Sequence, residues 1–347
     1  MSLTRPHVPD RPVEKTSHLS QPGYRRLFAP RKLTLGLIMP LETYADAPAP
    51  TMRNHLAAAR HADEAGLSAI WMRDIPFYDP GYGDAGQVFE PLVYLGMLAC
   101  VTRSITLGTA GIVLPLREPK LLAKQVASLD HLCGGRMMLG LSSGDRPSEY
   151  PLFGIDFASR GERFRDAFDV YRTVIEQDYP RFASQRFGRS DGQLDLVPKP
   201  PYGRTPTIAI GRGQQSLDWI AANLDGFIAP SPPLGQIGHF AETWHALVRE
   251  HAGEGAFKPL GIAGYLDLVA DRDHPMQQIR AGFRTGSKAF AEFLHEARAA
   301  GINHAALNPK ISRRPHGDLM DDLVRDVLPH FPTLTQSCPS TPATVAA

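Results

Sequence analysis

Eight short apolar runs recur along the chain, each separated from the next by room for a helix. They fall at 33–39 (LTLGLIM), 69–73 (AIWMR), 105–113 (ITLGTAGIV), 137–142 (MMLGLS), 207–210 (TIAI), 227–229 (FIA), 260–270 (LGIAGYLDLVA) and 304–308 (HAALN). Most are near-continuous rather than alternating in apolar character, which is the pattern of strands buried on both faces of a parallel sheet. Helical stripes lie between them. Leu122, Val126, Leu129 and Leu132 make one apolar face, and Phe290, Phe293, Leu294 and Ala297 make another. Pro119 suits a first helical turn, and Gly66 and Gly301 suit helix ends.

Eight strands alternating with helices predict an α/β fold, a (β/α)8 TIM barrel; a doubly wound open sheet is the second architecture the count allows. The interval from about 147 to 206 is too long for one crossover. It is expected to be an insertion after the fourth strand, with a helix over 160–178 and an irregular Gly/Pro-rich excursion. The expected organisation is a loosely attached arm (1–30), one barrel domain (31–332) and a disordered tail (333–347).

Charge narrows the partners. Lys plus Arg number 37 against 36 Asp plus Glu, for a net charge of +1, so no strong field gathers nucleic acid or an anionic membrane. Cys100, Cys133 and Cys338 form no CxxC and no even framework, which fits a reducing cytoplasm. No run resembles a signal-peptide core or a membrane span. Metal binding lacks a motif: there is no HExxH, and His239, His245 and His251 recur every six residues and so share no helix face. No G-x-S-x-G appears, which removes the serine hydrolase reading.

The stretch "PTIAIGRGQQSLDWIAANLDGF" (206–227) places a glycine turn between a strand and a helix. A dinucleotide fingerprint would have a third glycine where Ser216 stands, an acid further on than Asp225, and the first position in the fold rather than the fifth. Room for one phosphate remains, beside the plainer reading of an ordinary turn that uses Gly for positive φ.

Four stretches together resemble the bacterial luciferase-like, flavin-dependent oxidoreductases: "LAAARHADEAGLSAIWMRD", the long run "EPLVYLGMLACVTRSITLGTAGIVLPLREPKLLAKQVASLDHLCGGRMMLGLSSGD", "FGIDFASRGERFRDAFDVYRTV" and the glycine turn itself. The resemblance spans roughly residues 33 to 310. It implies a TIM barrel binding reduced FMN, or alternatively a deazaflavin coenzyme, at the C-terminal mouth. It assigns Gly211, Arg212, Gly213, Gln215 and Ser216 to the phosphate. Thr109, Ala110, Ser142, Ser143 and Gly144 are assigned to the isoalloxazine and ribityl chain, though barrel packing accounts for some small residues equally well.

Two departures and one loop complete the picture. "RDIP" after the second strand lacks the family's histidines, leaving Asp74 as an acid/base candidate or as the structural partner of Arg73 or Arg146. "SSGDRPSEY" puts Asp145 and Arg146 just past the fourth strand, Asp145 as a catalytic candidate and Arg146 as a binder of an anionic coenzyme or substrate group. Residues 75–90, with Phe77, Tyr78, Tyr82 and Phe89, read as a lid closing an apolar cavity, or as a surface loop. The expected activity is a monooxygenase using reduced FMN and O2 on a small-molecule substrate, served by a separate flavin reductase and assembled as a homodimer. The alternatives are a deazaflavin-dependent hydride-transfer dehydrogenase, a flavin-binding protein without turnover and, more remotely, a barrel enzyme for phosphorylated metabolites.

Overall fold

All eight apolar runs form strands in the computed structural model, which describes residues 20–334. They are β1 (Thr34–Ile38), β2 (Ala69–Met72), β3 (Thr106–Thr109), β4 (Met137–Ser142), β5 (Thr207–Ile210), β6 (Gly226–Pro230), β7 (Leu260–Leu268) and β8 (His304–Asn308). Every neighbouring pair is parallel, from Gly36 opposite Ala69 in β1 and β2 to Thr34 opposite His304 in β1 and β8. That last pairing closes the sheet, so the open-sheet alternative is excluded.

Closure divides the apolar residues into two cores. The strand faces turned outward pack on α2 (His55–Glu64), α3 (Pro91–Val101), α4 (Pro119–Leu132), α5 (Arg160–Glu176), α6 (Leu217–Asn223), α7 (Ile237–Ala252) and α8 (Ser287–Ala299). The inward faces hold Ile38, Trp71, Met138, Ile208, Ile228 and Ala306. Trp71 fits inside because Gly36 and Gly108 face it; a Cβ at either would meet its ring. Its Nε1–H donates to Nε2 of His304 at 2.9 Å, His304 Nδ1 pairs with the Thr34 hydroxyl at 2.8 Å, and that hydroxyl donates to the Leu27 carbonyl. Full burial pushes His304 down to about 3, so it is neutral, one nitrogen accepting and the other donating.

The Leu27 carbonyl belongs to a short helix, α1 (Pro22–Leu27), that plugs the N-terminal end of the barrel. Tyr24, Leu27 and Phe28 join the inner core, and Gln21 Nε2 donates to Asp130 Oδ1 and to the Met137 carbonyl. This corrects the expectation of a loose arm as far as residues 20–30 are concerned: prolines and charges mask one turn and a half of helix whose apolar side chains are all committed inward. Residues 1–19 of that arm, residues 335–347 of the expected tail, and Cys338 lie outside the described residues.

After β4, the expected helix appears as α5, and the Gly/Pro-rich excursion carries an antiparallel hairpin, Arg181–Ser184 with Gly188–Asp191. A second hairpin, Gln277–Ile279 with Gly282–Thr285, extends β7. No sequence signal had indicated it. A final helix, α9 (His316–Asp322), follows β8.

Leu27→Ala removes a fully buried side chain from the plug and is expected to lower stability by about 2–5 kcal/mol. Equilibrium urea unfolding checks it; an unchanged midpoint would mean that the plug is dispensable.

Candidate functional site

At the C-terminal ends of the strands lies a cleft of about 380 Å³. Larger grooves, of about 530 Å³ between α7 and α8 and about 600 Å³ beside α2 and α9, lie on the outer wall. The mouth cleft is the candidate because it alone joins the strand ends to the glycine turn, and a barrel concentrates its chemistry there.

Its floor is made by β3 and β4. Thr109 is fully buried and exchanges two hydrogen bonds with Gly140, accepting from its amide at 2.9 Å and donating to its carbonyl at 2.8 Å. A Cβ at Gly140 would collide with the Thr109 carbonyl, and one at Gly111 would press on Ile210 and on the Gly140 backbone. Two strands thus approach with little side-chain bulk. Ala110, Gly111, Ser142, Ser143 and Gly144 emerge next to one another as a shallow surface. The Ala110–Gly111 peptide is cis.

The turn after β5 faces this floor. Gly211, Gly213 and Gln214 have positive φ of 61°, 56° and 62°, and a Cβ at Gly211 would project into open space with no atom within 4 Å. Gln215 and Ser216 lie behind the turn. The Gln215 side chain donates to the Gly161 and Gly213 carbonyls and accepts from Arg165, while Ser216 Oγ caps α6 at the Trp219 amide. Both hold the turn's shape, and the cleft is lined by Gly211, Arg212 and Gly213.

Charged groups at the mouth divide into paired and unpaired. Asp74 is buried with both oxygens taken: Oδ2 accepts from the Val113 amide at 2.9 Å and from Arg117 Nε at 3.2 Å, and Oδ1 accepts from Arg117 Nη2. Its partner is therefore Arg117, neither Arg73 nor Arg146. Asp84 is bound by Arg73, by the Tyr44 hydroxyl at 3.1 Å and by Lys310 at 3.3 Å. Burial alone would raise its pKa, but the Arg73 hydrogen bonds and charge hold the carboxyl well below the usual range.

Arg146 is 7% exposed; its Nη2 donates to the Asp84 carbonyl at 3.0 Å and its guanidinium lies 5.0 Å over the Tyr82 ring. Its Nη1 is buried with no partner. Glu149, which the sequence reading passed over, is 3% exposed, and its Oε1 is likewise buried and unpartnered. Burial pushes its carboxyl up to about 7, Arg146 pulling it down and Asp74, Asp145 and Asp79 pushing it further up. Asp145 is exposed on the cleft rim.

The 75–90 loop is tied down by polar anchors rather than by its aromatics. Asp84 holds it as above, Gln87 bonds Arg73 in both directions, and Tyr82 donates to the Asp145 carbonyl. Phe77, Tyr78, Tyr82 and Phe89 remain about half exposed, so the expected apolar closure by these rings is absent. Among the described residues no group of three or more His, Cys, Asp or Glu is disposed to hold a metal ion, and no helix is long and apolar enough to cross a membrane.

The family model described as luciferase-like monooxygenase matches residues 34–330. The 4-hydroxyprotoasukamycin monooxygenase of Streptomyces nodosus subsp. asukaensis is 27% identical over 222 residues, 63% of this chain and 58% of that protein. An uncharacterized protein of Mycobacterium tuberculosis is 28% identical over 188 residues, 50% of this chain and 64% of that one. The chain thus spans less than two thirds of the length of these curated relatives. In fold it is similar to an F420-dependent secondary alcohol dehydrogenase in complex with an F420–acetone adduct, with a TM-score of 0.70 and 17% identity over 86% of this chain and 99% of that one. It is similar also to the oxygenating constituent of the FMN-bound 3,6-diketocamphane monooxygenase of Pseudomonas putida, with a TM-score of 0.66 and 13% identity over 86% and 98%.

Glu149 carries a folded-state pKa raised above its unfolded value, so its cost to folding is absent below about pH 4.5, grows between there and about 7, and is fully present above that. Glu149→Gln is expected to raise Tm near pH 8 and to leave it unchanged near pH 4. Calorimetry at the two pH values checks this, and an equal shift at both would remove the ionisation from the account.

Proposed function

From the premise that the chain belongs to the luciferase-like monooxygenase family, we propose that it binds reduced FMN in the mouth cleft and uses it with O2 to oxygenate a small organic substrate. The observation that carries this reading is the joining, in one cleft, of a small-residue floor and an open glycine turn. The floor of Ala110, Gly111, Ser142, Ser143 and Gly144 suits a flat ring that must lie against backbone. At Gly211, where a side chain would fill space, the backbone leaves room for a phosphate.

Each residue then has a task. The amides of Gly211 and Gln215 already bond the Ile228 and Arg212 carbonyls, so the phosphate is met by the amides between them, with Arg212 supplying charge. Gln215, Ser216 and Thr109 act from behind, fixing the turn and the floor. Asp74 positions the strand ends through Arg117, while Asp145 and Arg146 face the substrate side. Bound reduced FMN supplies the electrons for oxygen activation; the chain holds the ring, orients the substrate and limits water. A separate flavin reductase provides the reduced cofactor. Unpaired Cys100 and Cys133 fit a reducing, cytoplasmic setting.

A deazaflavin coenzyme is the second reading, favoured by the cations Arg146 and Arg212, which line the mouth cleft. Arg313, a further candidate for such an acidic coenzyme, is paired with Asp46 at 2.7 Å.

The chain is also proposed to pair with a second copy through α3. This helix is apolar almost throughout, PLVYLGMLACV; Val93 and Met97 stand 76% and 49% exposed beside Leu121 of α4.

Two experiments follow. Gly211→Ala places a methyl group in the phosphate's space and costs about 1–2 kcal/mol through its positive φ; it is expected to weaken FMN binding at least about tenfold, as read by flavin fluorescence. An unchanged dissociation constant would leave the turn without its phosphate, and reduced-FMN turnover without O2 consumption would move the reading to hydride transfer. Val93→Glu is expected to shift the species on analytical ultracentrifugation from dimer to monomer, and a wild-type monomer would end the pairing proposal.

A further inference from the structure

Beside the mouth cleft lies a second cavity, of about 280 Å³, and the two share Asp74 and Ile75 as lining residues. Three connections meet around it: the 75–90 loop after β2, the segment of Leu116 and Arg117 after β3, and the turn at Phe153 after β4. Seven of its ten lining residues are apolar. The other three, Asp74, Arg117 and Glu90, bind one another. Arg117 donates to both Asp74 oxygens and, through Nη1, to Glu90 Oε1 at 3.0 Å, while Glu90 Oε2 accepts from the Val93 amide at 2.8 Å. All four carboxylate oxygens are therefore engaged. One cation between two carboxylates also leaves this wall with a net negative charge, which repels an anion.

The apolar wall is held open. Phe77 and Phe153 come from different connections and meet with ring centroids 6.3 Å apart and planes at 56°, yet they stay 52% and 42% exposed. Their contact forms a rim without burying either ring. Val88, on the same wall, has a φ of 54°, a conformation in which a β-branched side chain is crowded and which Gly or Asn adopts more easily. Turn geometry does not call for valine here. Nor does core packing, since the residue is 47% exposed. Gln87 pins the backbone on either side of the strained residue, its Nε2 donating to the Arg73 and Phe89 carbonyls. Strained residues with exposed apolar side chains are retained where a ligand meets them.

We propose that this side cavity is the specificity pocket of the mouth cleft, taking an uncharged hydrocarbon group of the substrate, with Phe77, Val88, Leu116 and Phe153 as the side chains that select it. The proposal rests on the flavin reading of the cleft. A substrate whose reacting atom lies over the floor of Ala110 and Ser142 extends past Ile75, the residue common to both spaces, and places its apolar end between the two phenylalanines. The volume fits part of a small molecule: whole ligands fill about 300–1,000 Å³. Continuity with the cleft and this small size favour a substrate group over a segment of a second copy. The division of labour is chemical. The cleft, with Arg146 and Arg212 in its lining, takes the charged cofactor, and the side cavity excludes charge and sorts substrates by their hydrocarbon part.

The test uses the full-length protein with oxidised FMN, so that no turnover occurs, and three probes that share one ring: 4-fluorotoluene, 4-fluorobenzoate and 4-fluorobenzylammonium. Fluorine NMR titration at about pH 7, where the last two are charged, reads each affinity. The expected result is that 4-fluorotoluene binds at least about tenfold more tightly than either charged probe. Leu116 and Phe153 line the side cavity and not the cleft. Leu116→Trp, which fills the cavity, is expected to weaken 4-fluorotoluene binding at least about tenfold with FMN affinity retained; Phe153→Ala, which removes a half-exposed ring, is expected to weaken it in the same direction without threatening the fold. Tighter binding of a charged probe, no binding of 4-fluorotoluene, or unchanged affinity in both variants would overturn the proposal. So would binding that appears only in Val93→Glu, since a second copy would then be what covers the cavity. FMN fluorescence quenching in the same samples reports on the cofactor separately: wild-type protein that fails to take up FMN contradicts the flavin reading instead.

Discussion

A side chain at position 140 would collide with the Thr109 carbonyl oxygen, and the mouth of the barrel is built around that prohibition. Because Gly140 has no Cβ, β3 and β4 approach closely enough for the Thr109 hydroxyl to bond both the amide and the carbonyl of residue 140. The strand ends leave that contact side by side, and the residues that follow are small. A shallow floor is the direct result. Its far edge meets the turn after β5, so the two halves of the proposed mononucleotide site are positioned by one backbone contact and by the closure of the sheet.

Electrostatics around that floor follow one rule with one exception. Buried carboxylates are matched: Asp74 by Arg117, and Asp84 by Arg73 and Lys310. Each pair joins segments distant in sequence, and Asp84 in particular fastens the 75–90 loop to the ends of β2 and β8. Burying such groups without partners is costly, so the pairs hold the mouth rigid while contributing little net stability. Arg146 and Glu149 break the rule within the cleft itself.

Much of this was legible in sequence because it is periodic or local. Eight apolar runs fall at the eight strands, and Gly211 and Gly213 announced a turn that has positive φ at both. Other features depend on contacts that no short window contains. Arg117, the partner of Asp74, is 43 positions away and stands in no motif with it, whereas Arg73 adjoins it and Arg146 follows another strand end of the same mouth. The plug helix is short and its apolar residues are few, which hid it among prolines and charges. Glu149 has no such signal: it lies past Asp145 and Arg146, and the turn that closes its amide on the Arg146 carbonyl has no distinctive residue pattern. The aromatics of the 75–90 loop suggested a closed apolar lid, whereas Asp84 and Gln87 hold that loop and leave the rings half exposed.

The central claim is that the turn after β5 holds a flavin mononucleotide by its phosphate. Titrating the wild-type protein with reduced FMN and with reduced riboflavin, which differs only by lacking that phosphate, tests it most directly. The account predicts FMN binding tighter by on the order of a hundredfold, as a charge-assisted anion site should give. Equal dissociation constants for the two would contradict it, since the glycine turn would then contribute nothing to holding the cofactor.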